Sequence, residues 1–212
     1  MRHLMFSALL YAVLFTLTAC APKTGVTPLP KNASLAVAAF QQPTHSWELL
    51  AGNLPEEHVV LPEKVLGGMD AELDAQLAKR TGRSYVGPGV VRQCQEILLS
   101  KQSRSRPSAF AFWQEVGECV PTDFLLVPQV FQWQERSGND WSVNIPAMVV
   151  FDLYLIDIKN KTVTRAHYEE QQHSLSENVL NAGTFFKRGG KWITAEQMSS
   201  EGLIYCLEEL GL

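Results

Sequence analysis

The sequence predicts an α+β domain: a single mixed or antiparallel sheet with helices packed mainly on one face, in the order β-α-β-α-α-β-β-β-α-α. Three observations lead there. Ala147–Ile158 alternates, with Val149, Phe151, Leu153 and Leu155 on one side and Asp152 and Tyr154 on the other, which is the two-residue period of a strand. Upstream, apolar residues recur at helical spacing in two neighbouring segments, Val90–Lys101 and Ser108–Val120. Strand-like runs then gather in the second half instead of alternating with helices, which disfavours a parallel βαβ fold. With 46% apolar and 19% charged residues, the chain has the composition of a globular protein.

Taken in order, Glu57–Leu61 holds Val59-Val60-Leu61, stops at Pro62 and reads as a short buried first strand. Gly67-Gly68 reads as the strand-to-helix turn, and Asp70 as the helix start, with Met69, Leu73 and Leu77 on one face. Lys79 and Arg80 suit the negative end of that helix, and Gly82 its cap. Ser84–Val86 reads as a second strand, closed by Gly87-Pro88-Gly89. The two helices follow, separated by the polar stretch Gln102–Pro107. Asp123–Glu135 is strand-like, with Phe131 and Trp133 alternating against Gln132 and Gln134. Lys159-Asn160-Lys161 turns Ala147–Ile158 into a more polar return strand, Val163–Gln172. Ser174 with Glu177, and Thr194 with Gln197, match the capping-box pattern, so two helices close the chain. The last carries Met198, Gly202, Cys206 and Leu210 on one stripe, which makes Cys206 a core residue.

The amino terminus carries a different signal. Arg2 precedes an apolar stretch, Leu4–Leu17, interrupted only by Ser7 and Thr16, and small residues then lead to Cys20. That layout is a secretory signal, too short for a comfortable spanning helix. Leu17-Thr18-Ala19-Cys20 resembles the lipobox of bacterial lipoproteins. The resemblance implies cleavage before Cys20, with fatty acyl chains such as palmitate on its sulfur and its new amino group. Ala21, rather than Asp, resembles lipoproteins sorted to the periplasmic face of the outer membrane. The expected organisation is a signal peptide over residues 1–19, a lipidated flexible tether over 20–46 and an α+β periplasmic domain over 47–212. Ala21–Ser46 is rich in Pro, Ala, Thr and Gln, although its apolar piece Leu35–Phe40 either docks on the domain or stays loose. Without the signal the chain has 193 residues, with 17 basic and 22 acidic side chains and a net charge of −5. That balance argues against binding nucleic acid or anionic headgroups, so attachment to a membrane would rest on lipid.

Lipidation would consume Cys20 and leave Cys94, Cys119 and Cys206, an odd number in a compartment that permits disulfides. In an antiparallel helical hairpin, Cys94 and Cys119 sit at similar distances from the turn. They are candidates for a disulfide, against three buried thiols. No Cys/His spacing suggests zinc or haem, and no cofactor is expected. His167-Tyr168-Glu169-Glu170-Gln171-Gln172-His173 is the densest titratable run, with His167, Glu169 and His173 on one strand face. His167 and Glu169 could share an ion, but a continuous strand places His173 about 20 Å from His167, so a solvated face is the better reading. Lys187, Arg188, Lys191 and Trp192 surround Gly189-Gly190 as a candidate surface patch for phosphate, anionic glycan or an acidic partner. A cation-rich helix end with its glycine stop explains the same residues more simply. Gly67-Gly68 lacks the further glycines or terminal Lys-Ser/Thr of a phosphate loop, and no nucleophile motif is present.

The region from Val59 to Leu210 resembles the periplasmic class shared by the TolB amino-terminal domain, the curli-secretion lipoprotein CsgG and the penicillin-binding-protein activator LpoB. Val59-Val60-Leu61-Pro62, Asp123-Phe124-Leu125-Leu126-Val127 and the run from Ala147 to Asp157 turning into Val163 carry the likeness. Lys159-Asn160-Lys161 stands where that class typically has a glycine. The resemblance implies a non-enzymatic, surface-mediated role in envelope assembly, with no catalytic residues in the domain. The expected function is therefore a membrane-anchored periplasmic lipoprotein that binds an envelope protein, using exposed aromatics such as Trp133, Trp141 and Trp192. A CsgG-like secretion or pore subunit is the alternative, and a cell-wall enzyme a weaker one. A pore needs strands of about 9–11 residues with apolar side chains alternately facing lipid, and Ala147–Ile158, the clearest strand, carries Asp152 and Asp157, which do not suit lipid.

Overall fold

The strongest alternation in the chain forms the centre of the sheet. In the computed structural model, which describes residues 28–30, 32–55, 59–81, 84–101, 107–173 and 182–212, Met148–Asp157 is a strand buried along nearly its whole length. In chain order the elements are β1 (Leu35–Val37), α1 (Glu63–Thr81), α2 (Pro88–Lys101), α3 (Ala109–Cys119), β2 (Phe124–Gln134), β3 (Ser137–Gly138) and β4 (Val143–Ile145). Then follow β5 (Met148–Asp157), β6 (Thr162–Gln171), α4 (Ala182–Lys187) and α5 (Ala195–Glu209). The main sheet runs β1-β2-β5-β6, with β1 parallel to β2 and the other pairs antiparallel, and β3–β4 is a small second sheet.

This is an α+β fold with one main sheet, but the helices divide between its two faces. On one face Leu126, Val130, Val149, Phe151 and Leu153 pack against Met69, Leu73 and Leu77 of α1 and Met198, Leu203 and Cys206 of α5. On the other, Leu125, Val127, Tyr154 and Ile156 pack against Val91 and Cys94 of α2 and Trp113 and Val116 of α3. The expectation of helices mainly on one face is corrected accordingly. Both parities of β2 and β5 are apolar at their buried ends, the pattern of strands covered on both sides.

The first strand is also corrected. Val59 and Val60 are 71% and 74% exposed, and no strand forms there. The strand that pairs with β2 is Leu35–Val37, inside the segment read as tether, so Leu35–Phe40 docks on the domain. Leu29, Leu35, Val37 and Phe40 are all buried in the first core, and the Leu29 amide donates to Gly211 O. Four apolar side chains held out of water, at about 1.5–3 kcal/mol each, outweigh the polar character of the segment around them. Gly67 and Gly68 lie within α1 rather than before it, because the helix begins at Glu63 directly after Pro62. Of Ser84–Val86, only Val86 bridges β1, exchanging backbone hydrogen bonds with Leu35 and Val37. A bulge between Val130 and Gln132 breaks the expected alternation in β2, so Trp133 pairs with Val149 and packs toward the first core.

Local signals account for several boundaries. The Ser108 side chain accepts from the Ala111 amide to open α3, and Thr194 with Gln197 forms a full capping box at α5. In the β5–β6 turn Lys161 adopts φ 54°, the left-handed conformation for which glycine is the usual residue. The signal peptide, Cys20, the start of the Glu57–Leu61 strand, Gly82, most of the Gln102–Pro107 linker and the Ser174/Glu177 capping box lie outside the described residues.

Candidate functional site

Strand β6 carries charged side chains on both of its faces, and each face builds a separate ionic cluster. On the α2/α3 side the centre is Asp152, a fully buried carboxylate on β5. The β5–β6 register places it opposite His167. His167 Nδ1 lies 2.6 Å from Asp152 Oδ1, Arg165 Nε donates to Oδ2 at 2.8 Å, and the Tyr154 hydroxyl donates to Oδ2 at 2.6 Å. Arg165 Nη2 is also 3.0 Å from His167 Nδ1, and one nitrogen cannot be a donor to Asp152 and an acceptor from Arg165 together. The proton is assigned to Nδ1, because the buried anion is nearer and needs the donor. Nε2 then faces Glu169 at 3.4 Å.

Burial tends to lower the Arg165 pKa, but the hydrogen bond and charge of Asp152 outweigh it and hold the guanidinium more firmly protonated than usual. Burial raises the Tyr154 pKa, and Asp152 adds to that shift. The phenol is therefore a locked donor. A cleft of about 230 Å³ opens beside this cluster, between Ala51, Gly52 and Asn53 and the side chains of Gln132 and Arg165.

On the opposite face Arg188 is the centre. Its Nη1 and Nη2 bond the two Glu170 oxygens at 2.6 and 2.9 Å, and Nη2 also meets Glu201 Oε2 at 2.6 Å. Tyr168 donates its hydroxyl to Glu170 Oε2 at 2.6 Å. Burial acts to raise the Glu170 pKa, but the Arg188 and Tyr168 hydrogen bonds and the Arg188 charge overcome it, leaving the carboxyl below its ordinary value. The bidentate fork ties β6 to the turn after α4 and to α5.

Arg188, with a side chain only 7% exposed, is therefore not a surface cation, and the candidate patch is dispersed over three environments. Lys187 is exposed in the last turn of α4, and Gly189 and Gly190 both adopt φ 71°, the glycine stop. Lys191 Nζ sits 3.8 Å from Asp140 Oδ2 and 5.3 Å from the centroid of the Trp141 ring. The Trp192 amide donates to Asp140 O at 2.9 Å. Arg136 completes this corner, bonding Asp140 Oδ1 at 2.7 Å and Trp192 O at 2.6 Å. The corner holds the β3–β4 hairpin, which presents Trp141, 71% exposed, and Ile145, 47% exposed. Of the three tryptophans singled out from the sequence, Trp133 and Trp192 are partly buried and Trp141 projects.

Cys94 and Cys119 are joined in a disulfide that staples α2 to α3, with Cα atoms 5.9 Å apart. Cys206 is a buried free thiol in the first core, its pKa pushed up to about 12 by burial and by the charges of Glu209 and Asp152. His173 lies beyond the end of β6 and takes no part in either cluster. Among the described residues no group of three His, Cys, Asp or Glu side chains converges as metal ligands. No described helix is long and apolar enough to cross a membrane.

The Asp152 cluster was not found from the sequence. Its signal was present in the hairpin: a turn at Lys159–Lys161 pairs Asp157 with Thr162, and counting back five places sets Asp152 opposite His167.

No protein-family model and no curated protein matches the chain. Solved structures with a similar fold include the PelC dodecamer from Paraburkholderia phytofirmans, at 12% identity over 89% of this chain and 94% of that one, with a TM-score of 0.48. Lipoprotein GNA1162 from Neisseria meningitidis is 16% identical over 74% of this chain and 99% of its own, with a TM-score of 0.37. The LpoB C-terminal domain from Salmonella enterica is 12% identical over 76% and 93%, with a TM-score of 0.38. All three scores fall below 0.5.

Proposed function

We propose that this chain is a non-enzymatic bacterial lipoprotein, acylated at Cys20, held at the periplasmic face of the outer membrane, and built to bind another envelope protein. Leu17-Thr18-Ala19-Cys20 supports the anchor. The observation that carries protein binding is Trp141: a large aromatic, 71% exposed, on a hairpin braced by Arg136, Asp140 and Lys191. An ordered indole beside a cation and Ile145 loses little side-chain entropy on docking, which is the character of an interface anchor. Because Leu29 is already fastened to the domain, the chain between Cys20 and Leu29 can span at most about 30 Å, so partners would lie close to the membrane surface.

The test is in-cell photo-crosslinking with the reactive group at position 141 and, as a control, at exposed Lys64 on α1. A discrete protein adduct from position 141, absent from position 64, is expected. No adduct from 141, or the same adducts from both, contradicts the proposal.

A further inference from the structure

The two edges of the main sheet are treated differently. At the β1 edge, Val86 accepts from the Val37 amide and donates to Leu35 O, so the backbone there is sealed by a bridge. At the other edge, β6 pairs along all of Thr162–Gln171 with β5, without a register shift, and its outer side meets no strand among the described residues. Seven of its ten residues are exposed, including the β-branched Thr162, Val163 and Thr164. It contains no proline and no bulge, two of the devices that blunt such an edge, and its charges are Arg165, Glu169 and Glu170. A concavity of about 610 Å³ runs along its second half, lined by His167, Glu169, Gln171 and Tyr205.

We infer that β6 is a self-association edge: two copies of this chain pair β6 against β6, antiparallel, to make one continuous eight-stranded sheet. The occupant is identified by charge order. Opposed residues in an antiparallel pair lie on the same face, so a two-fold axis normal to the sheet must pass beside a single residue and its own copy. The two registers of longest overlap centre on Ala166 and on His167. Centring on Ala166 sets Arg165 against His167 of the second copy. Centring on His167 sets Arg165 against Glu169 of the second copy, twice by symmetry. Glu169 is free for this, with a side chain 62% exposed and one 3.4 Å contact to His167. Arg165 uses Nε on Asp152 and is 39% exposed, leaving donors on its Nη groups. The buried Asp152 therefore serves as the brace that aims Arg165 at the edge.

This inference goes beyond the proposed partner binding, since it concerns the purified chain alone. The experiment uses the full acylated chain in detergent, followed by light scattering and backbone hydrogen exchange over a concentration series. The expected result is a monomer–dimer equilibrium in which β6 amides on the outer side slow at least about tenfold in the dimer. Glu169→Arg should raise the dimer dissociation constant roughly tenfold or more, with its melting temperature in the monomer unchanged. Glu169→Gln should give a smaller rise. A monomer at all concentrations up to about 100 µM, a dimer whose β6 amides exchange as fast as the monomer's, or a dimer indifferent to Glu169→Arg would each overturn the inference. Crosslinking from Trp141 is read separately, so loss of the dimer does not decide the binding proposal.

Discussion

Gly202 of α5 lies against the ring of Tyr168 on β6, so close that a Cβ at position 202 would sit 2.5 Å from Tyr168 Cδ1. The contact sets how near the last helix approaches the sheet edge. It also places the Tyr168 hydroxyl on Glu170, and so orders the Arg188 fork. Gly202→Ala should cost about 1–3 kcal/mol through overpacking, measured by urea unfolding. Gly183→Ala, where a Cβ meets nothing within 4 Å, is the control and should not show that loss.

Gly67 and Gly68 give the opposite expectation. Both lie inside α1, and a Cβ at either meets nothing within 4 Å. The double substitution Gly67→Ala, Gly68→Ala should stabilise the protein by about 1–2 kcal/mol, because alanine loses less backbone entropy in a helix. Were the two glycines a turn, as the sequence suggests, the same change would destabilise. Thermal melts of the two proteins separate these outcomes.

The Arg188 fork makes stability fall in acid. Glu170 has a folded pKa below its ordinary 4.5, so the unfolded chain binds the proton more readily. Its contribution is fully present above about pH 4.5 and is lost as the pH falls through the lower folded value. Glu170→Gln should cost about 1–3 kcal/mol at neutral pH and give a shallower acid limb in unfolding free energy against pH. An acid limb of unchanged slope would mean that other carboxylates, such as Glu72, dominate it.

The Cys94–Cys119 bridge closes a loop with a sequence separation of 25. Replacing both cysteines with alanine should lower stability by about 3–4 kcal/mol on chain-entropy grounds. Reduction of the unsubstituted protein by dithiothreitol should lower the melting temperature in the same direction, while the alanine pair should be insensitive to it.

The strands and helices legible in the sequence were those whose periodicity runs long enough to exclude an alternative. β5 and β6 showed two-residue alternation or a clear turn, and α2, α3 and α5 showed apolar stripes or a cap. β1 was hidden because three apolar residues in a Pro- and Gln-rich stretch carry no period; their strand character comes from β2, almost ninety residues away. Val59-Val60-Leu61 misled for the same reason, since a short apolar run does not say whether a sheet will receive it. The Asp152 cluster is not legible in either strand alone, because its members lie on both β5 and β6. A charged residue at a buried position of β5 gains its meaning from Arg165 and His167, which only the hairpin register brings to it. The cation-rich run from Lys187 to Trp192 was visible, but its partners Glu170, Glu201 and Asp140 lie on other elements.

The lipid anchor at Cys20 is the central claim, and membrane fractionation of cells producing the Cys20→Ala protein tests it most directly. The account predicts that the unsubstituted protein sediments with membranes and carries radiolabelled palmitate, whereas the Cys20→Ala protein is unlabelled and leaves the membrane fraction. A Cys20→Ala protein that stays with the membranes to the same extent would contradict the account.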